Sequence, residues 1–338
     1  MKAAKLTTYT KNNIELELKE VPQPELREGQ AVLRVLAAGV NPLDNMITRG
    51  ELKLIAPYRL PQTAGNEVVG IIDAIDANVA GFEAGDRVFA RLPLDSIGAF
   101  AEYVAVDCTA LAHVPDYLSD IEAAAVPLTG LTIAQALALM DPEPGESIFI
   151  SGGTGGVGAM AIPIAKAHGL IVHTNGSVAN KDRVIALGAD SFLDYKTEDY
   201  SIELSNIDYV LDTLGGEETE KQMAILKPGG HLVSLRGMPN GAFARRMGFS
   251  KPKQILFGLA GRKLDRMAQR HGVSYDFIFV ESNGAQLRDV ADLLANQRIK
   301  PFIDQVYSLT EVNRALIKVD SGKSLGKTVI TVAGRTRT

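Results

Sequence analysis

The stretch SIFISGGTGGVG, residues 147–158, restricts the fold more than any other: an apolar run breaks into five glycines within seven residues. Gly153, Gly155 and Gly158 fit the spacing G-x-G-x-x-G, which alone is a weak signal because glycine-rich turns are common. Its flanks give it meaning. A strand precedes it, an apolar helical stretch from Val157 to Ala167 follows, and a second strand ends near Thr174, a unit of about 30 residues. In such a unit one glycine lets the chain turn, another lets backbone N–H groups approach a pyrophosphate, and the helix N-terminus favours negative charge. Gly153, Thr154, Gly155, Gly156 and Val157 are therefore expected to cradle a dinucleotide. Pro163 lies inside the expected helix and predicts a kink there, since a missing N–H removes one ladder bond.

The end of the second strand bears on which dinucleotide. An NAD site places a carboxylate there to accept from the ribose 2′-OH. This chain has Thr174, Asn175, Gly176 and Ser177, followed by Lys181 and Arg183. Hydroxyls and cations without an acid suit a 2′-phosphate, so Thr174, Ser177 and Lys181 predict NADPH as the cofactor. The alternative for the two cations is a solvated helix face.

Beyond this unit, strand and helix alternate from about residue 124, which implies a parallel sheet with crossover helices. The strand candidates are SIFIS, 170–174, 191–194, 207–213, 231–235 and 277–281. The first 110 or so residues read instead as short strands joined by Gly and Pro turns. A helical stretch, 285–297, then leads to IKPFIDQVYSL and a last strand in GKTVITV, which together are expected to complete the first domain. The α/β reading divides the chain into 1–123, 124–282 and 283–338, the last part returning to the first. A net charge of −5 provides no general attraction to nucleic acid. One cysteine, Cys108, excludes an intrachain disulfide and a multi-cysteine zinc cluster, and it reads as a small core residue. The N-terminus lacks an apolar signal core and no run is long enough for a membrane span, so a cytoplasmic protein without integral membrane association is expected.

The segments AAGVNPLDNMITRG (37–50), LPQTAGNEVVG (60–70), GFEAGDRVF (81–89), GAFAEYVAV (98–106), AAAVPLTGLTIAQAL (123–137), PGESIFISGGTGGVG (144–158), KPGGHLVSL (227–235) and SGKSLGKTVI (321–330) occur in an order that resembles one family. It is the zinc-independent branch of the medium-chain dehydrogenases, the quinone and enone (alkenal) reductases. The resemblance implies a GroES-like β-barrel catalytic domain interrupted by a Rossmann cofactor domain, with the active site in the cleft between them. It also implies a homodimer. Zinc-dependent relatives carry Cys where Asn41 stands and His where Asn66 stands, so no metal is expected; Glu67 alone survives among the candidate ligands.

Residue by residue, the resemblance places Asn41 beside the nicotinamide ribose and the substrate carbonyl, where it could donate to a developing enolate. Read from its own neighbours, Asn41 is equally an Asn-Pro turn residue. Lys53 matches a cofactor-contacting lysine of the alkenal reductases, and Tyr58 is a pocket wall or proton donor; a surface lysine and a core tyrosine are the alternatives. Thr129 is expected at the nicotinamide, Tyr195 near the adenosine phosphate, Leu214 at the adenine ribose, and Phe279 and Val280 at the carboxamide. Met46 departs from the tyrosine of many quinone reductases. The implied reaction is hydride transfer from NADPH to a small-molecule quinone or enone. An enoyl-thioester reductase and a non-catalytic NADPH-binding protein are the alternatives.

Residues 240–272 hold eight Lys or Arg against one acid, Asp265, a local +7. Ile255, Leu256, Leu259, Leu264 and Met267 predict an amphipathic helix there. Three uses fit it: a solvated basic face, capture of NADPH, or contact with an anionic membrane surface.

Overall fold

The computed structural model describes residues 1–11 and 14–332. The chain divides into two compact units, Met1–Leu131 with Glu281–Thr338, and Thr132–Val280.

The second unit is a six-stranded sheet, parallel throughout, in the spatial order Ser191–Asp194, Ile171–Gly176, Ser147–Ile150, Ile207–Asp212, Leu226–Ser234, Ser274–Phe277. In chain order this is 3-2-1-4-5-6, the doubly wound arrangement of a Rossmann domain. Its order reverses between Ser147–Ile150 and Ile207–Asp212, and ligands of such sheets sit beyond the carboxyl ends of the strands at that reversal. The glycine loop leaves the first of those two strands, so topology places it there. The core is apolar and mostly aliphatic, with Ile148, Phe149, Ile150, Val172, Val210 and Leu232 all but inaccessible to solvent.

One expectation changes in this unit. The last strand is Ser274–Phe277 rather than 277–281. Its register runs from His231↔Ser274 to Ser234↔Phe277 and stops where the neighbouring strand stops. Ile278 and Val280 are buried all the same, so the apolar run reported burial and not strand. At Pro163 the helix Gly156–Ala167 continues to its end, losing one backbone donor without breaking.

In the first unit the strand Gln30–Val40 is the hub, pairing antiparallel with Glu67–Ile75, Tyr103–Asp107 and Lys327–Thr331. Two registers matter for function. Thr328 faces Val40, so Lys327 falls opposite Asn41 at the end of the ladder. Val69 faces Ala37, which brings Glu67 alongside Gly39. A Cβ on Gly39 would lie 2.1 Å from Glu67 Oε1 and 2.5 Å from the Ala124 carbonyl, so only glycine admits the Glu67 carboxylate there. The helix Gly284–Gln297 and the strand Ile303–Ser308 belong to this unit.

Candidate functional site

In the second unit the glycines of the loop have separable reasons. Gly152 has φ +68°, the left-handed region that favours glycine. A Cβ on Gly153 would sit 2.2 Å from Thr174 Oγ1, and one on Gly158 would sit 2.4 Å from the Gly152 carbonyl. These two are demanded by the protein's own packing. Gly155 is not: its φ of −79° suits any residue, and a Cβ there would meet only the Gly152 carbonyl, at 3.4 Å. It is also the N-cap of the helix Gly156–Ala167, a position that Ser, Thr, Asp or Asn would normally fill, and no side chain caps that terminus. The first N–H groups of Gly156, Val157 and their neighbours are thus left for an anion at the positive end of the helix dipole. Bare backbone at Gly155 is what an approaching pyrophosphate needs, so the loop fits a dinucleotide.

The loop is held from below by its neighbours. Asn175 accepts from the Gly152 N–H through Oδ1 at 2.8 Å and from the Gly153 N–H through its carbonyl at 3.0 Å. Arg183 Nη2 donates to the Thr154 carbonyl at 2.8 Å. Thr174 is fully buried under Gly153, and its hydroxyl donates to the Ile150 carbonyl. Ser177 is half-buried at the start of a short turn that its side chain does not cap, while Lys181 is exposed at the start of the next helix. Ser177 and Lys181 therefore remain the accessible pair at the strand end, and Thr174 serves the loop. Tyr195 and Leu214 are exposed, Phe279 half-buried and Val280 buried. The turn bearing Leu214 is fixed by Asp212, buried, which accepts from Leu214 N, Gly215 N, Thr219, Gln222 and Ser234.

In the first unit, Asn41 stands at the centre of a buried polar network that sequence reasoning found only in part. Lys327 Nζ donates to Asn41 Oδ1 at 2.6 Å, to Thr129 Oγ1 at 3.3 Å, and pairs with Glu67 Oε1. An ammonium has three donors, so all three are used. Asn41 Nδ2 donates to the same Glu67 Oε1 at 2.7 Å, and Leu128 N donates to Oε2 at 2.8 Å. Because lysine only donates and a carboxylate only accepts, the Asn41 amide can face them one way alone: oxygen to Lys327, nitrogen to Glu67. Among the described residues nothing takes the other N–H of the Asn41 amide. Glu67, Asn41, Thr129 and Lys327 are each less than a tenth exposed.

Asp44 extends the network. Its Oδ2 accepts from Asn41 N at 2.8 Å and its Oδ1 from Asn66 Nδ2 at 2.6 Å. Burial, countered by those two hydrogen bonds, pushes its carboxyl up to about 7. Asn66 Oδ1 is buried without a partner among the described residues. The residues at the two zinc-ligand positions are thus carboxamides engaged with Asp44, Glu67 and Lys327, and an ammonium occupies Glu67. Among the described residues no group of three His, Cys, Asp or Glu could hold a metal. The donor set does not fit zinc.

Tyr58 and Arg91 also belong to this unit. Burial pushes the Tyr58 phenol up, and its buried hydroxyl has no hydrogen-bond partner among the described residues. Arg91 is the largest fully buried side chain among the described residues; Nη1 donates to the Leu92 carbonyl, while Nε and Nη2 have no partner among them. Burial lowers its guanidinium to about 10 against the raising influence of Tyr58, Glu67, Asp44 and Glu281, so it stays charged at neutral pH. Lys53 is exposed, with Nζ 4.0 Å from the centre of the Tyr9 ring. Lys327, Asp44 and Arg91 were invisible as site residues because burial of a charge leaves no mark in a sequence.

Residues 27–116 match the family model described as alcohol dehydrogenase GroES-like domain, and 187–330 the model described as zinc-binding dehydrogenase. The chain is 30% identical to the mitochondrial NAD(P)H oxidoreductase RTN4IP1 of Danio rerio, over 98% of this chain and 91% of that one. It is 30% identical to the 2-methylene-furan-3-one reductase of Solanum lycopersicum, over 98% of this chain and 79% of the other. Among solved structures, the quinone oxidoreductase of Coxiella burnetii superposes with a TM-score of 0.83 at 26% identity, covering 98% and 99% of the two chains.

Proposed function

The chain belongs to the zinc-independent branch of the medium-chain dehydrogenase/reductase family, and from that premise we propose that it uses NADPH to reduce a quinone or an α,β-unsaturated carbonyl. It is an oxidoreductase of that family with a nicotinamide cofactor; the choice of NADPH and of the acceptor is our reading. The observation that carries it is the Asn41 amide, locked by Lys327 and Glu67 with one N–H uncommitted.

NADPH, when bound, supplies a hydride. The chain's own residues do the rest. The backbone N–H groups of Gly156 and Val157 hold the pyrophosphate, and Ser177 with Lys181 take the 2′-phosphate beyond a strand end, 174–177, that carries no carboxylate. Asn41 donates its remaining N–H to the acceptor oxygen as charge develops on it, and the rigid partners mean little reorganisation accompanies the step. The Lys327 ammonium, with all three donors used, acts through its charge and not as an acid. Tyr58 and Arg91 supply further unpartnered donors suited to an acceptor rich in oxygen. Such acceptors take hydride without a Lewis acid, in keeping with ligand positions that cannot hold one. Positioning of this kind can supply on the order of 7–11 kcal/mol of a barrier.

NADPH oxidation should be measured against quinones, alkenals and enoyl-CoA thioesters. Turnover with the first two supports the reading. Turnover with enoyl-CoA alone, or tight NADPH binding without any turnover, replaces it. In fluorescence titration NADPH should bind far more tightly than NADH; equal affinities would sink the role given to Ser177 and Lys181. A homodimer, expected from the family, is checked by sedimentation equilibrium.

A further inference from the structure

The helix Lys251–His271 has a defined inner and outer side. Phe257, Gly261, Met267 and Ala268 face inward. Gly261 is fixed there, because a Cβ would lie 2.4 Å from the Asn240 side chain. Phe257 joins an aromatic group with Phe243 and Phe249. The helix therefore cannot rotate, and what it presents outward is part of the fold.

That outer side has an unusual layout. Ile255, Leu259, Arg262 and Arg266 follow the i, i+4, i+7, i+11 spacing of one stripe, and Leu256, Lys263 and Arg270 form the stripe beside it. Both stripes are apolar over the first turns and cationic over the last. Ile255 is 66% exposed, Leu256 49% and Leu259 63%. Arg262, Lys263, Arg266 and Arg270 are exposed and, among the described residues, none is in an ion pair. Arg262, Lys263, Arg266, Met267 and Arg270 line, with Glu220, a shallow cleft of about 330 Å³. The segment 240–272 carries +7 in a chain of −5, which leaves −12 on the rest.

From this layout we infer that the outer face of Lys251–His271 docks on an anionic lipid bilayer. A bilayer surface offers both things the face asks for, acyl depth for Ile255, Leu256 and Leu259 and phosphates for the four cations. The helix lies on the surface and does not cross it: no helix among the described residues is long and apolar enough to span. A second copy of the chain is a poorer occupant, because a two-fold contact on this face would bring its cations together with those of the partner. The surface is independent of the reaction proposed above.

The test is sedimentation of the full chain with vesicles of phosphatidylcholine alone and of phosphatidylcholine mixed with phosphatidylglycerol. Binding to the mixed vesicles only, weakening with added salt, is expected. Each cation near such a surface is worth about fivefold, so Arg262→Glu with Arg266→Glu should lower partitioning by more than tenfold. Leu259→Asn, which adds no charge, should lower it too, which a purely electrostatic contact would not show. Circular dichroism and NADPH oxidation with a water-soluble acceptor should be unchanged in both variants. The inference is overturned by no binding to the mixed vesicles, by equal binding to neutral ones, or by indifference to Leu259→Asn. It is likewise overturned if Leu259→Asn turns a dimer into a monomer, which would make the face an interface between copies.

Discussion

Replacing Lys327 with methionine removes the one positive charge that pairs with Glu67 while keeping an unbranched apolar stem of similar length. Glu67 is fully inaccessible to solvent and retains only the Asn41 amide and the Leu128 N–H. Breaking a buried pair from one side typically costs about 3–5 kcal/mol, because the surviving charge is left uncompensated. At about 2–4 °C per kcal/mol for a unit of this size, melting should fall by about 6–20 °C. The double variant Glu67→Gln with Lys327→Met should regain most of the loss at neutral pH, since the buried charge has gone. Lys327→Arg should not substitute well, as a planar guanidinium does not present three donors to a compact set of acceptors. Thermal unfolding of the cofactor-free protein, followed by circular dichroism, measures all three variants. A double variant as unstable as the single one refutes the account of Lys327 as the counter-charge of Glu67.

Asp44→Asn should alter the pH profile in the opposite sense from a surface carboxylate. The folded carboxyl at about 7 lies above the ordinary value of 3.8, so wild-type stability falls as pH rises between them, by on the order of 4 kcal/mol in all. Denaturant titrations should find Asp44→Asn gaining on wild type from pH 5 to pH 8; parallel curves would rule out burial of an ionising group. Gly153→Ala should destabilise the second unit, because its Cβ collides with Thr174, whereas Gly155→Ala should unfold like wild type and lose NADPH affinity by tenfold or more. Calorimetry on both variants decides, and equal NADPH binding by Gly155→Ala would remove the ligand from the explanation of that glycine. Asn41→Ala should lower kcat by about 10²–10³, the usual cost of removing one donor to a developing oxyanion, with little change in the Kd for NADPH. Steady-state kinetics beside fluorescence titration separate the two, and an unchanged kcat would take Asn41 out of the chemistry.

The parts of this protein that sequence reveals are those with local causes. The Rossmann unit was legible because its strand, glycine loop and helix lie within one contiguous stretch, and the packing of Gly153 and Gly158 shows why the spacing is what it is. The basic helix was legible from its apolar spacing, but three of the residues that pointed to it, Ile255, Leu256 and Leu259, are exposed, and Phe257, Gly261 and Ala268 face inward with Met267 instead. The network around Asn41 was not, since Lys327 is 286 positions away and reaches it through the register of two strands at opposite ends of the chain. As a sequence, GKTVITV reads as a strand beginning with an ordinary lysine. The misplaced strand at 277–281 has the same origin: Ile278 and Val280 are buried just beyond the last strand, and hydrophobicity cannot tell burial from strand.

The two asparagines explain more jointly than either does alone. A thiolate and an imidazole at positions 41 and 66 would call for a divalent cation beside Glu67. Carboxamides bring no charge, so Glu67 needs a different counter-ion, and the register of Lys327–Thr331 delivers an ammonium to the same carboxylate. Lysine is a compact point charge with three rotatable donors, which is what the three acceptors Glu67, Asn41 and Thr129 can saturate. The cost of burying it is offset only while all three are present, so Asn41 is held by the same contacts that keep the lysine folded in. Orientation of the Asn41 amide and neutralisation of Glu67 are therefore one property of this network, and a substitution that disturbs the second will move the first.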